Sequence, residues 1–193
     1  MRLLALAAIC CLTVGSAHAQ GELLQPCESL DGVSLGMGNN YDESKLFLSH
    51  AAEHVTEGVA AIGAVTRSAE DAKGNVYLSI NLPIEPTDFT GRALAFDVAS
   101  STPERSQAFY VRAYDEFGSM VMSWQSWSGE LTAEAQQFVL TPGTDAHGLA
   151  WEPNRVQTDD LSAVTRLEFI TGTGEKGVYF NVTVDNVRAV PAP

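Results

Sequence analysis

Alternation with a period of two, broken at short intervals by turn residues, constrains this chain more than any other feature. Successive side chains of a strand point to opposite faces, so a half-buried strand reads apolar, polar, apolar. That rhythm runs through Val59 to Arg67, Asn75 to Leu82, Arg92 to Ala99, Gln107 to Tyr114 and Ser119 to Trp127. It returns in Gln136 to Leu140, Thr165 to Thr171 and Gly177 to Val190. Between these runs stand Lys73-Gly74-Asn75, Asp88 to Gly91, Glu116-Phe117-Gly118, Pro142-Gly143 and Gly172-Thr173-Gly174. Their residues tolerate the tight backbone of turns. Few stretches hold a helical period for three turns, although Asp42 to Glu53 has room for one helical turn or two. Many short strands without interleaved helices predict an all-β fold, a sandwich or a barrel.

The first residues read as an export signal. Met1-Arg2 gives a positive start, Leu3 to Val14 carries no charge, and Ala17-His18-Ala19 forms a small-residue cleavage pattern before Gln20. Residues 1–19 are thus expected to be a signal peptide, and residues 20–193 a single domain that is secreted or held in the periplasm or cell envelope. The apolar run is too short to span a bilayer, so no membrane insertion is expected. Cys10 and Cys11 leave with the signal. Cys27 then stands alone, without a disulfide partner, and reads as a small buried apolar residue. Asp and Glu outnumber Lys and Arg 24 to 11, a formal charge of −13. Such a balance repels nucleic acid and anionic lipid, and suits neutral polymers or cations as partners.

One strand stands out. In Gln107 to Tyr114, Phe109, Val111 and Ala113 fall on one face and Tyr110, Arg112 and Tyr114 on the other. The turn at Asp115 to Gly118 returns the chain as a hairpin partner, in which Met122 and Trp124 are expected to share the face of the tyrosines. Flat rings pack on the apolar faces of sugars and Arg donates to their hydroxyls, so such a face suits a glycan. The alternative is that these aromatics fill the sandwich core. Trp127 and Trp151 lie near strand ends or loops, where tryptophan serves binding, and the segment Thr141 to Asp160 is suited to a rim.

No catalytic constellation emerges. The acids are scattered, adjacent Asp159 and Asp160 would point apart in a strand, and no serine has a Gly-x-Ser-x-Gly setting. His50 and His54 lie four apart but lack a His-Glu-x-x-His frame.

The segments, in order, resemble a known group. Cys27-Glu28-Ser29-Leu30-Asp31-Gly32 is similar to the "Phe-Glu-x-x-x-Gly" opening of jelly-roll carbohydrate-binding modules of the galactose-binding-like fold, with Cys27 in place of Phe. His54 to Ile62 resembles their second segment, Ala93 to Val98 their "l-x-f-d-v" strand, and Val184-Asp185-Asn186-Val187 their "i-D-N-v" close. The resemblance implies a two-sheet antiparallel jelly-roll sandwich. It also implies a structural calcium ion joining the first and last segments, with Glu28 and Asp185 supplying side chains. The Thr56-Glu57-Gly58 turn, Glu57 included, would contribute further oxygen, and Asp31 is an additional candidate. Calcium takes six to eight hard oxygen ligands of this kind. The function so implied is non-catalytic recognition of a polysaccharide or glycoconjugate. The alternative is a structural or adhesive envelope protein on the same scaffold, since fold does not dictate function.

Overall fold

The computed structural model describes residues 21–37, 41–126, 131–142, 144–145, 152–153 and 161–192. Among them, strands account for nearly all regular structure: β1 (Glu22–Gln25), β2 (Ser34–Met37), β3 (Tyr41–Ser49), β4 (Ala61–Ser68), β5 (Val76–Thr87), β6 (Arg92–Ala99) and β7 (Ala108–Asp115). There follow β8 (Met120–Ser126), β9 (Gln136–Thr141), β10 (Thr144–Asp145), β11 (Glu152–Pro153), β12 (Val164–Thr173) and β13 (Tyr179–Pro191), and Pro103–Arg105 is a single 3-10 turn. The first sheet runs β10-β9-β6-β13-β4-β3, with β1 pairing the far half of β13, and the second runs β11-β8-β7-β12-β5-β2. All pairings are antiparallel.

The alternating runs became strands because each can bury one face between the sheets. Leu94, Phe96 and Val98 of β6 face Phe109 and Val111 of β7 and Leu167 and Phe169 of β12 across one continuous core. Its centre is aromatic. Phe96 lies 5.0 Å from Phe169 and stacks on Phe138 at 5.5 Å, while Trp124 meets Phe109 and Phe138 edge-on at 6.0 and 5.9 Å. Burying a ring of this size contributes about 2–3 kcal/mol, and offset or edge contacts add to it. Cys27 is fully buried in the same core, and burial followed by the charge of Asp185 pushes its thiol pKa up.

Two expectations are corrected here. Tyr41 to Ser49 is an edge strand with Leu46 and Leu48 turned to the core, where the sequence left room for a helical turn. The alternating apolar residues of β3 decide this, since they pack only when pleated against β4. The second correction concerns Trp124. Its register partner is Val111 and that of Met122 is Ala113, so both face the core; Trp124 is 1% exposed and takes no part in the face of the tyrosines. A register fixed by the hairpin put it there, because a one-residue slip would exchange the two faces of β8.

Candidate functional site

The outer face of the second sheet assembles polar and aromatic side chains in register. One row across the strands is Tyr110, Ile170, Ser79 and Gly36; the next is Arg112, Glu168, Asn81 and Ser34; a third is Tyr114, Arg166 and Pro83. Gly36, Tyr77, Ser79, Tyr110, Arg112, Glu168 and Ile170 line a cavity of about 450 Å³ there. The volume falls within the range of small-molecule sites, roughly 300–1,000 Å³.

Glu168 is the hub of this face. Its Oε1 accepts from the Ser79 hydroxyl at 2.8 Å and its Oε2 from the Tyr114 hydroxyl at 2.6 Å, with Arg112 Nη1 at 3.6 Å. The guanidinium of Arg166 lies 3.8 Å above the Tyr114 ring while donating to Asn81 Oδ1 at 2.6 Å. Tyr77 and Tyr110 meet edge to face at 5.9 Å and form the aromatic end of the cavity. Burial, then the hydrogen bond with Tyr77, pushes Tyr110 up to about 12. Burial, followed by the hydrogen bond to Glu168, raises Tyr114 as well. Both phenols therefore stay protonated and serve as donors. The Nε of Arg112 is buried without a hydrogen-bond partner, an unmet polar group in the wall of the cavity.

Of the glycan-site residues expected from the sequence, Tyr110, Arg112 and Tyr114 come together on this face. Trp124 lies behind it in the core, and Trp127 and Trp151 lie outside the described residues. Tyr77, Ser79 and Glu168 were missed, because each sits on a strand distant in sequence and gains its place only through the β5–β12–β7 registers. The polar outward positions of β5 and β12 were the available signal.

The expected calcium ligands occupy the opposite side of the molecule. There the segment 50–60 crosses the outer face of the first sheet. Asp185 and Asp97, direct cross-strand partners, lie beneath it, 1% and 2% exposed. Asp185 Oδ2 accepts from the N–H groups of Thr56 at 2.7 Å and Glu57 at 3.0 Å, and its Oδ1 from Asn186 N–H at 2.8 Å. Thr56 donates its hydroxyl to Asp97 at 2.5 Å, and Asn186 Nδ2 donates to the same oxygen at 2.9 Å. Glu28 Oε1 accepts from Val59 N–H at 2.8 Å and sits where a Cβ on Gly58 would be, which, with the positive φ of +68°, makes glycine necessary there. The Glu57 carboxylate is paired with Arg188, and Asp31 accepts from Ser29 in an exposed turn.

Glu28 and Asp185 thus do meet at one turn, but they accept its N–H groups. Among the described residues no three acidic, histidine or cysteine side chains converge on one point. As placed, Glu28 and Asp185 spend carboxylate oxygens on the N–H groups of the turn, where a calcium ion would need six or more oxygens turned to it. Arg188 brings a cation to the same junction: Nε donates to Asn186 Oδ1 at 2.5 Å, Nη1 to the Gly21 carbonyl at 3.2 Å, and Nη2 to Glu57. One guanidinium joins the segment before β1, the turn and β13. Burial outweighs the N–H donors at Asp185 and raises its pKa.

His50 and His54 do not share a site. His54 is buried, its Nδ1 2.8 Å from the Ser49 hydroxyl, while His50 Nδ1 donates to the exposed Val59 carbonyl at 2.8 Å.

Scans against protein-family profiles and against curated proteins find no match. Solved structures do match. The family 11 carbohydrate-binding module of a cellulosomal cellulase of Clostridium thermocellum superposes with a TM-score of 0.59 at 12% identity, over 90% of this chain and 96% of that one. The family 11 module of the same organism in complex with a β-1,3-1,4-mixed-linked tetrasaccharide gives 0.57 at 11%, over 89% and 95%. An exo-β-agarase gives 0.54 at 16%, over 90% of this chain and 25% of the enzyme. The chain has the fold of the β-sandwich carbohydrate-binding modules.

Proposed function

We propose that this chain is an exported, non-catalytic module that binds an uncharged polysaccharide or glycoconjugate on the outer face of its second sheet. One observation carries the reading: the cavity joins an aromatic corner, Tyr77 and Tyr110, to a polar centre, Glu168, Ser79 and Arg112. Rings match the C–H faces of a sugar, and the Arg and Glu groups together donate to and accept from its hydroxyls. That one neighbour was solved with a mixed-linked tetrasaccharide supports this class of ligand. The Arg112–Glu168 pair cancels charge within the cavity, and the −13 of the whole chain disfavours polyanions at a distance. Export rests on the Met1 to Ala19 pattern alone.

Catalysis is disfavoured by the same geometry. The described lining holds one carboxylate, where glycoside hydrolysis needs two. Tyrosines raised above their ordinary value are poor bases for an elimination. A scaffold without sugar binding is favoured by one fact, that both Glu168 oxygens are already engaged.

Affinity electrophoresis separates these readings. Residues 20–193 are run through gels cast with mixed-linkage β-1,3-1,4-glucan, xylan, agarose, alginate or pectate. Retardation by a neutral polymer and not by the two polyanions is expected. Retardation by none overturns sugar binding in favour of the scaffold, and reducing ends released from any polymer would overturn the non-catalytic reading.

A further inference from the structure

Glycine inside a strand packs nothing and costs conformational entropy, and it often marks a place where another group approaches closely. Two glycines occupy outward positions of the second sheet: Gly36, which lines the cavity and is partnered by Ser79, and Gly172, in the adjoining row between Tyr77 and Ala108. Neither has a positive φ, so the backbone alone requires glycine at neither position. What requires it is space. A Cβ on Gly172 would lie 2.5 and 2.7 Å from two adjacent ring carbons of Tyr77, and 3.3 Å from the Val76 carbonyl. Ordinary carbon contacts are about 3.5–4.0 Å, so the ring would have to move by about 1 Å. A Cβ on Gly36 would collide with Ser79 Oγ and lie 2.8 Å from Asn81 Nδ2 and 3.3 Å from Glu168 Oε1.

Resting on the glycan-binding reading, we propose that Gly172 and Gly36 are positioning residues of the site, Gly172 seating the Tyr77 ring and Gly36 the Ser79–Glu168 hydrogen bond. The Tyr77 ring lies over Gly172, and that seat fixes the edge-to-face angle of 73° it makes with Tyr110. Were the ring lifted, the corner that receives the apolar face of a sugar would close or tilt. At the polar end, the bare backbone of Gly36 lets its carbonyl approach the Ser79 hydroxyl at 3.1 Å and leaves room for that hydroxyl to reach Glu168 Oε1 at 2.8 Å. Both residues act through others and are positioning residues. The glycine pair explains how a sheet face lined by modest side chains keeps a cavity instead of filling in.

A double-mutant cycle tests this on residues 20–193, with mixed-linkage β-1,3-1,4-glucan as the probe and the agarose and xylan gels as further arms. Gly172→Ala is expected to weaken retention about 3–10-fold, the worth of one oriented ring contact. In a Tyr77→Ala background the same substitution is expected to change retention less than about 2-fold, because the ring it displaces is gone. Gly36→Ala is expected to weaken retention in both backgrounds, since it acts through Ser79 and Glu168. Near-UV circular dichroism of Gly172→Ala should change in the tyrosine region while the far-UV spectrum holds, which shows the fold intact. A parent that binds while Gly172→Ala binds as tightly overturns this inference alone. Equal losses in both backgrounds overturn it too, since the glycine would then not act through Tyr77. A parent retained by no polymer overturns the proposed function and this inference with it.

Discussion

The two sheets present outer faces built from the same alternating pattern, yet among the described residues one is roofed and the other holds a cavity. On the first sheet the segment 50–60 lies across β13 and β6 over the buried Asp97, Asp185 and Asn186. On the second sheet a cavity remains between Tyr77, Tyr110, Arg112 and Glu168. The roofed face turns its carboxylates inward and saturates them with N–H donors, so their charge serves cohesion. The second face shares one carboxylate among a serine, a tyrosine and an arginine. A face whose polar groups are all satisfied internally holds a structure together, whereas the second face keeps a cavity lined by a carboxylate, a guanidinium and two phenols.

Substitutions sharpen that contrast. The largest effect is expected behind the second face: Trp124→Ala should lower stability by about 3–5 kcal/mol in urea unfolding, because it empties the aromatic core. Binding by the fraction that remains folded should be unaltered, and a loss of binding at full stability would return Trp124 to the site. On the roofed face, Asp185→Ala strands the N–H groups of Thr56, Glu57 and Asn186 and should cost about 3 kcal/mol without changing glycan retention. On the second face Tyr77→Ala should do the reverse, weakening retention about 3–10-fold while stability stays within about 1 kcal/mol. If Tyr77→Ala and Asp185→Ala moved both readouts together, the two faces would not be functionally separate.

Smaller effects probe the ions. Calcium and chelator should leave the same Tm, since Arg188 holds the junction where a calcium ion was expected; a clear rise with calcium would mean that the 56–59 turn rearranges around the ion. The last effect is on pH. The folded state keeps the Tyr110 phenol protonated to about 12 whereas the unfolded chain releases its proton near 10, so the native state binds more protons in that window. Its contribution to stability is then fully present below pH 10 and is lost as pH rises toward 12. Tyr110→Phe should flatten that part of a stability-versus-pH curve, and an unchanged slope would show that Tyr110 titrates normally.

The strands from Arg92 to Ala99 and from Gln107 to Tyr114 were legible to within a residue, because strict alternation has one packed solution. The β3 strand was not, since its polar first half, Tyr41 to Lys45, carries no apolar beat until Leu46. Part of the cavity was equally visible: Tyr110 and Arg112 share one strand, and the period of two placed them on one face with Tyr114. Glu168, Ser79 and Tyr77 belong to other strands, and no local rule joins them to Arg112. The same limit misplaced Trp124, whose face depends on a hairpin register that the residues of β8 alone do not specify.

What the residues determined unaided is therefore the local alternation, and with it the all-β class, the apolar face of each strand and the acidic balance of the chain. These follow from the pleat and from burial, which act over a few residues. Tertiary structure decided which strands became neighbours, and so which outer face was roofed and which kept a cavity. It also decided that Arg188 meets Glu57 and Gly21, contacts that span 131 and 167 residues of sequence. Pairings at such distances are set by the mutual fit of whole sheets, and that fit is a property of no single segment.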